Sequence, residues 1–362
     1  MAAVTVPAPR PDPDRLAAGP VGARARQRLW WLPAVVLALG LLAAFAPTGS
    51  RLSQPLLDAQ QRWLAPATPP PGLLVVDIDD ASLAALEPRY GPWPFKRDVY
   101  ALMIEQLRDL GARAVAIDLL LADTHPGDAA LARTIGRSGA PVVLSAVGLH
   151  HAVDSALPAA ARRFAPGTDA LPAVAWPAIV LPSESVWPTA GTPPRLGVIT
   201  SPLDDDGTLR RLPLWHEAQG RRWPALPLAV WQAVHGDASK HAWPLDAEGY
   251  ARLTFAGPEG APATVPLLRL ARVAGGEEDA GALAALVHDR VVFIGSNALL
   301  ADSVFTVAGQ MDSTAALAQA YAALRDDALL RAPPAWAQAL PLALALLPAL
   351  AIGWRGRAEP AR

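Results

Sequence analysis

Two uncharged apolar runs bracket this chain and constrain its fold more than any other feature. Neither Leu29–Pro47 nor Ala332–Trp354 contains an Asp, Glu, Lys or Arg. Each is close to the roughly 20 apolar residues that a helix needs to cross a bilayer. Runs of that kind do not sit on the surface of a water-soluble domain, so the expectation is two membrane helices with a folded domain between them. Arg24, Arg26 and Arg28 precede the first run, and Arg355, Arg357 and Arg362 follow the second. Basic residues close to a span stay on the cytoplasmic side. The expected order is a disordered cytoplasmic tail (1–28), a span (29–47), an extracytoplasmic domain (52–331), a second span (332–354) and a short cytoplasmic tail (355–362). That places the protein in the inner membrane, with its main domain facing outward.

Each run has a competing reading. A basic leader, an apolar stretch and Ala44-Phe45-Ala46 also fit a cleaved signal peptide. The second run fits a buried helix, but Pro341 and Pro348 cost more in a soluble helix than in a membrane one. Trp336 and Trp354 stand near its ends, where interfacial anchors belong.

Between the runs, apolar segments alternate with amphipathic ones. Leu73–Ile78, Ala114–Leu121 and Pro141–Val147 read as buried strands. Asp98–Leu110 has Val99, Leu102, Met103, Gln106, Leu107 and Leu110 near helical spacing, and Ala129–Ile135 is a second short helix. This β-α-β-α-β order predicts an α/β fold, with a largely parallel sheet and helices on both faces. Further on, Leu226–His235 and Ser313–Leu330 read as helices, and Tyr250–Phe255 and Arg290–Gly295 as strands. Leu196–Ser201 and Thr208–Leu214 read as two strands joined by the turn Asp204-Asp205-Asp206-Gly207. Pro66–Gly72 reads as a stiff linker, and His150–Ala175 as an exposed insertion.

Charge and motifs exclude several functions. The formal net charge is −2, which gives no electrostatic case for nucleic acid as a partner. There is no Walker loop, no Gly-x-Gly-x-x-Gly, no Gly-x-Ser-x-Gly and no histidine pair at metal-helix spacing, and no cofactor is expected. The lack of cysteine decides nothing about compartment.

What remains is a set of polar residues near strand ends. Asp77, Asp79 and Asp80 close the first strand, Asp118 lies in the second, and Asp302 follows the last. Ligands of open parallel sheets bind beyond the C-terminal strand ends. Asp79, Asp118 and Asp302 are therefore expected to face one pocket, with Arg97 as counter-charge. Clustered carboxylates suit a cation or a cationic ligand. The competing reading is helix capping, for which Asp80 is well placed before Ala81-Ser82-Leu83. A membrane-anchored, metal-dependent hydrolase using Asp77, Asp79 and Asp118 is the alternative function, since Asp-x-Asp after a strand is also a phosphatase signature. No convincing downstream lysine or Asp-Asp partner accompanies it.

Several blocks, in order, resemble the CHASE2 domains, extracytoplasmic sensory modules of bacterial transmembrane receptors. They are Val75-Val76-Asp77-Ile78-Asp79-Asp80-Ala81-Ser82-Leu83, Gly91-Pro92-Trp93-Pro94-Phe95-Lys96-Arg97 and Gly111-Ala112-Arg113-Ala114-Val115-Ala116-Ile117-Asp118. The stretch from Asp204 through Gly207, Arg210 and Arg211 to Pro213-Leu214 is another, and Arg290–Gly295 and Gly309-Gln310-Met311 follow. The sequence departs from the family pattern at Phe95, at Tyr100 and over Asp312–Ala318, where an acid and a histidine are absent. The resemblance implies a sensor of an unknown small ligand or partner. With no effector domain in this sequence, a separate signalling protein is the expected partner, and a homodimer is expected by analogy with receptors.

Overall fold

The computed structural model describes residues 47–331 except 154–156, 159, 162–171, 192–193, 239–240 and 299–302, together with the isolated residues 35 and 347. Two compact units are distinguished, Asp58–Ala332 and Met1–Leu57 with Pro333–Arg362. Apart from residues 35, 47 and 347, the two apolar runs lie outside the described residues, as do both tails. Among the described residues no helix is long and apolar enough to cross a membrane.

In chain order, helix α1 (Pro47–Leu64) precedes strand β1 (Leu73–Asp77), helices α2 (Asp80–Tyr90) and α3 (Arg97–Asp109), strand β2 (Ala114–Ile117), helix α4 (Asp128–Gly136) and strand β3 (Val142–Leu149). Short strands follow: β4 (Val174–Trp176), β5 (Ala178–Val180), β6 (Arg195–Val198), β7 (Thr208–Leu209), β8 (Arg211–Pro213), β9 (Trp215–Ala218) and β10 (Arg221–Pro224). Then come α5 (Leu226–His235), β11 (Tyr250–Arg252), β12 (Thr264–Pro266), α6 (Leu267–Ala274), α7 (Ala280–Val287), β13 (Val291–Gly295), β14 (Ser303–Thr306), β15 (Gly309–Asp312) and α8 (Ser313–Arg325).

The main sheet runs β12-β1-β13-β2-β3, with β6 beside β3, and all these pairings are parallel. The antiparallel β5 joins the far end of β3. Side chains alternate across a strand, which divides the core into two layers. Leu74, Val76, Val115, Ile117, Val292 and Ile294 face α2, α3, α4, α6 and α7. Leu73, Val75, Ala114, Ala116, Val291 and Phe293 face α5 and α8. Both faces of the sheet are covered, as a parallel sheet requires. The expected α/β fold with a largely parallel sheet and helices on both faces is what the structure has.

Three local readings need correction. The buried stripe of α3 is Val99, Tyr100, Met103, Ile104 and Leu107, whereas Leu102 is 41% exposed. The helical spacing admitted either flank, and Ile104 and Tyr100 won the core side. Thr208–Leu214 is two strands, because β7 pairs with β14 while β8 pairs with β11, and Arg210 between them turns inward. For the same reason the turn at Asp204–Gly207 does not make a hairpin with β6. The N-cap of α2 is Asp79 and not Asp80: Asp79 Oδ1 accepts the Ser82 backbone N–H at 2.8 Å.

Leu107 lies at full burial in the first layer. Leu107→Ala is expected to lower unfolding free energy by about 2–5 kcal/mol through lost contacts and a residual cavity, read as a lower urea midpoint at unchanged slope.

Candidate functional site

Strand alternation sorts the polar residues near the strand ends. Asp77 is in phase with Leu73 and Val75, and Asp118 with Ala114 and Ala116, so both belong to the face that carries α8. Between them runs β13, whose Gly295 pairs with Asp77. The Asp118 N–H donates to Ile294 O at 2.7 Å. With strands about 4.8 Å apart, the two aspartates stand roughly 10 Å apart across β13.

The first turn of α8 sits over this gap. A Cβ at Gly295 would collide with Thr314 Oγ1, so only glycine admits so close a seat. The Thr314 hydroxyl donates to Asp118 Oδ2 at 2.6 Å, and both residues are buried. Asp118 is thus a buried carboxylate held by a hydroxyl beside a helix N-terminus, where the helix dipole favours negative charge.

Asp77 is placed differently. It is half-buried, and Asn297 N–H donates to its Oδ1 at 3.3 Å. The Asn297 side-chain amide reaches Asp312 Oδ2 at 3.5 Å. Asp312 is the N-cap of α8 and makes no side-chain capping bond. Burial is the main cause that pushes the Asp77 carboxyl up to about 6, and the charges of Asp312 and Asp79 push in the same direction. Asn297 partly offsets them. The result is a partly accessible carboxyl group that makes no ion pair among the described residues and sits beside two further acids.

The remaining sequence-predicted residues are distributed elsewhere. Asp79 caps α2, and its charge still acts on Asp77. Asp80 is exposed in the first turn of α2. Arg97 opens α3 on the opposite face, 5% exposed, with its Nε 3.6 Å from Asp128 Oδ1. Asp128 also accepts from the His125 N–H and the Ser185 hydroxyl. Asp302 lies outside the described residues. The structure therefore brings Asp77 and Asp118 together on one face and gives Arg97 a different partner. Asp312 and Thr314 were not singled out as site residues. Their signal was a carboxylate and a hydroxyl immediately before a strong helix.

Asp79 is engaged as a cap, and Asp118 accepts from a buried hydroxyl. Among the described residues, no group of three or more His, Cys, Asp or Glu is arranged to hold a metal ion. A groove of about 1180 Å³ lies between α3, α4 and the segment around Glu184–Gly191, on the other face of the sheet.

The sign of the pH dependence follows from Asp77. Its folded-state value is raised, so it contributes stability below the ordinary value of 3.8, and that contribution is lost as pH rises through about 6. Asp77→Asn is expected to be more stable than wild type at pH 7.5, by about 1 kcal/mol once solvent screening of a half-exposed group is allowed for. The difference should fade toward pH 4. Melting temperatures of both proteins at the two pH values check this, and a constant offset would count against it.

The family whose model matches the chain is the CHASE2 domain, over residues 34–353. No curated protein and no solved structure matches. CHASE2 domains form a sensory family, extracytoplasmic in membrane receptors. The strand-end aspartates, the Asp204–Leu214 block and the last strand occupy coherent places in one α/β fold, and the chain belongs to the CHASE2 domain family.

Proposed function

We propose that the protein is a membrane-anchored extracytoplasmic sensor. It binds a small cationic ligand at the end of the sheet and signals through a separate effector protein. The single observation that carries this reading is Asp77: a half-buried carboxyl group at the end of the sheet, beside Asp312 and Asp79, and raised to about 6 by burial and by their charges. An arriving ammonium or guanidinium would relieve the repulsion and bring Asp77 back to its charged form. Sites kept at a stability cost in this way are where binding function concentrates. Family membership supports the sensory role. The two apolar runs and their flanking arginines support a membrane anchor with both termini cytoplasmic.

The alternative, a metal-dependent hydrolase, needs Asp77, Asp79 and Asp118 around one metal. Asp79 is engaged as the N-cap of α2 and Asp118 accepts the Thr314 hydroxyl, so the three are not grouped to hold one metal, which favours the sensor.

Thermal-shift titration of the full chain with divalent cations, polyamines, amino acids and guanidinium compounds tests the proposal. A ligand at 100 times its Kd adds about 2.7 kcal/mol, or roughly 5–10 °C in melting temperature. The shift is expected with an organic cation in wild type and not in Asp77→Asn. A shift retained in Asp77→Asn would move the binding site to the groove near Glu184. A shift with divalent cations alone, accompanied by phosphoesterase activity, would favour the hydrolase.

A further inference from the structure

Arg210 is one of the few buried charged residues, 5% exposed, and all five of its donors are used. Nε and Nη2 form a bidentate pair with Asp58 of α1 at 3.0 and 2.7 Å. Nη1 donates to Asp204 and Asp206 at 2.9 Å each, and Nη2 also donates to Asp206 at 2.7 Å. The neighbouring Arg211 binds Asp204 and Asp246 at 3.1 and 3.2 Å. One guanidinium thus joins a helix from the start of the domain to a turn from its middle, and it raises its own pKa and lowers that of Asp206 in doing so.

The position of this node in the chain gives it a consequence. Arg210 directly follows β7, whose Thr208 and Leu209 pair with Phe305 and Thr306 of β14. β14 pairs with β15, and the pair at its far end is Ser303 with Asp312. Asp312 is the acid beside Asp77 that Asn297 contacts. A three-stranded sheet, β15-β14-β7, therefore carries the candidate ligand site at one corner and the Arg210 node at another. A sheet moves as a unit, because its strands share backbone hydrogen bonds. Any shift of Asp312 relative to Asp77 reaches β7. With all five of its donors engaged, the guanidinium ties the end of β7 to Asp58 of α1. Coupling of this kind needs a contiguous element with two arrangements that both ends bias.

We infer that Arg210 is the relay by which the strand-end site sets how firmly α1 is held. α1 begins at Pro47, the last residue of the first apolar run, so the relay's output is the segment that leads toward the expected membrane anchor. This rests on the sensor reading, but its test uses the charge of Asp77 as the input and needs no ligand.

Hydrogen exchange of residues 58–64 is measured in the full chain at pH 7.5 for wild type, Asp77→Asn, Asp58→Ala and the double variant. Asp58→Ala leaves Asp204 and Asp206 on Arg210, and alanine favours a helix, so loss of protection in this variant reports the lost grip and not poorer helix formation. Melting curves confirm that each variant folds. Asp77→Asn is expected to change protection of residues 58–64 by roughly 2- to 30-fold, the range of measured coupling effects. In the Asp58→Ala background that change should vanish. Unchanged protection in Asp77→Asn overturns the relay, and so does an effect of the same size in both backgrounds. Absence of any ligand shift, with this coupling intact, would count against the ligand and not the relay.

Discussion

The seat of α8 on Gly295 is the contact on which the site depends. β13 comes late in the chain yet runs between β1 and β2, and its last residue offers no side chain. The first turn of α8 fills that space, with Thr314 over the glycine and its hydroxyl on Asp118. Without the close approach, the N-terminus of α8 would stand away from the sheet, and Asp312 would not meet Asn297 and Asp77. The same contact leaves a buried carboxylate beside the positive end of a helix, where its charge is tolerated.

The two aspartates show how neighbouring positions diverge. Asp118 is buried and accepts the Thr314 hydroxyl, which suits a fixed structural role. Asp77 is accessible, near two like charges, and receives one long backbone hydrogen bond. A carboxylate that is costly in the free protein is one that a cation can stabilise, and the free energy of that relief is available for binding.

Much of the fold was legible in the sequence, because buried parallel strands are continuous apolar runs and α3 is strongly periodic. Leu226–His235 appears with the predicted bounds. The site was less legible. Strand phase places Asp77 and Asp118 on one face, but the side on which a helix will cap the strand end is a tertiary fact. Asp79 follows Asp77 by two positions yet caps α2, and Arg97, expected as the counter-charge, faces Asp128 instead. Asp58 could not be recognised at all, since its partner is 152 positions away and its helix was not anticipated. The block around Arg210 was visible as a motif. Its meaning, a clamp between distant segments, needed coordinates.

Buried ion pairs are weak evidence of stability, because desolvation offsets much of the attraction. The Arg210 node is better understood as a device that fixes geometry. Its neighbour extends the same role to the other end of the domain. Arg211 lies in β8 opposite Arg252 of β11, and Arg252 O accepts the backbone N–H of Leu330, just beyond α8. The segment that enters the domain is therefore held by Arg210, and the segment that leaves it is registered through the strand containing Arg211. The stretch Arg210–Arg211 thus connects to both chain segments that lead toward the apolar runs, to α1 through a side chain and to Leu330 through strand pairing.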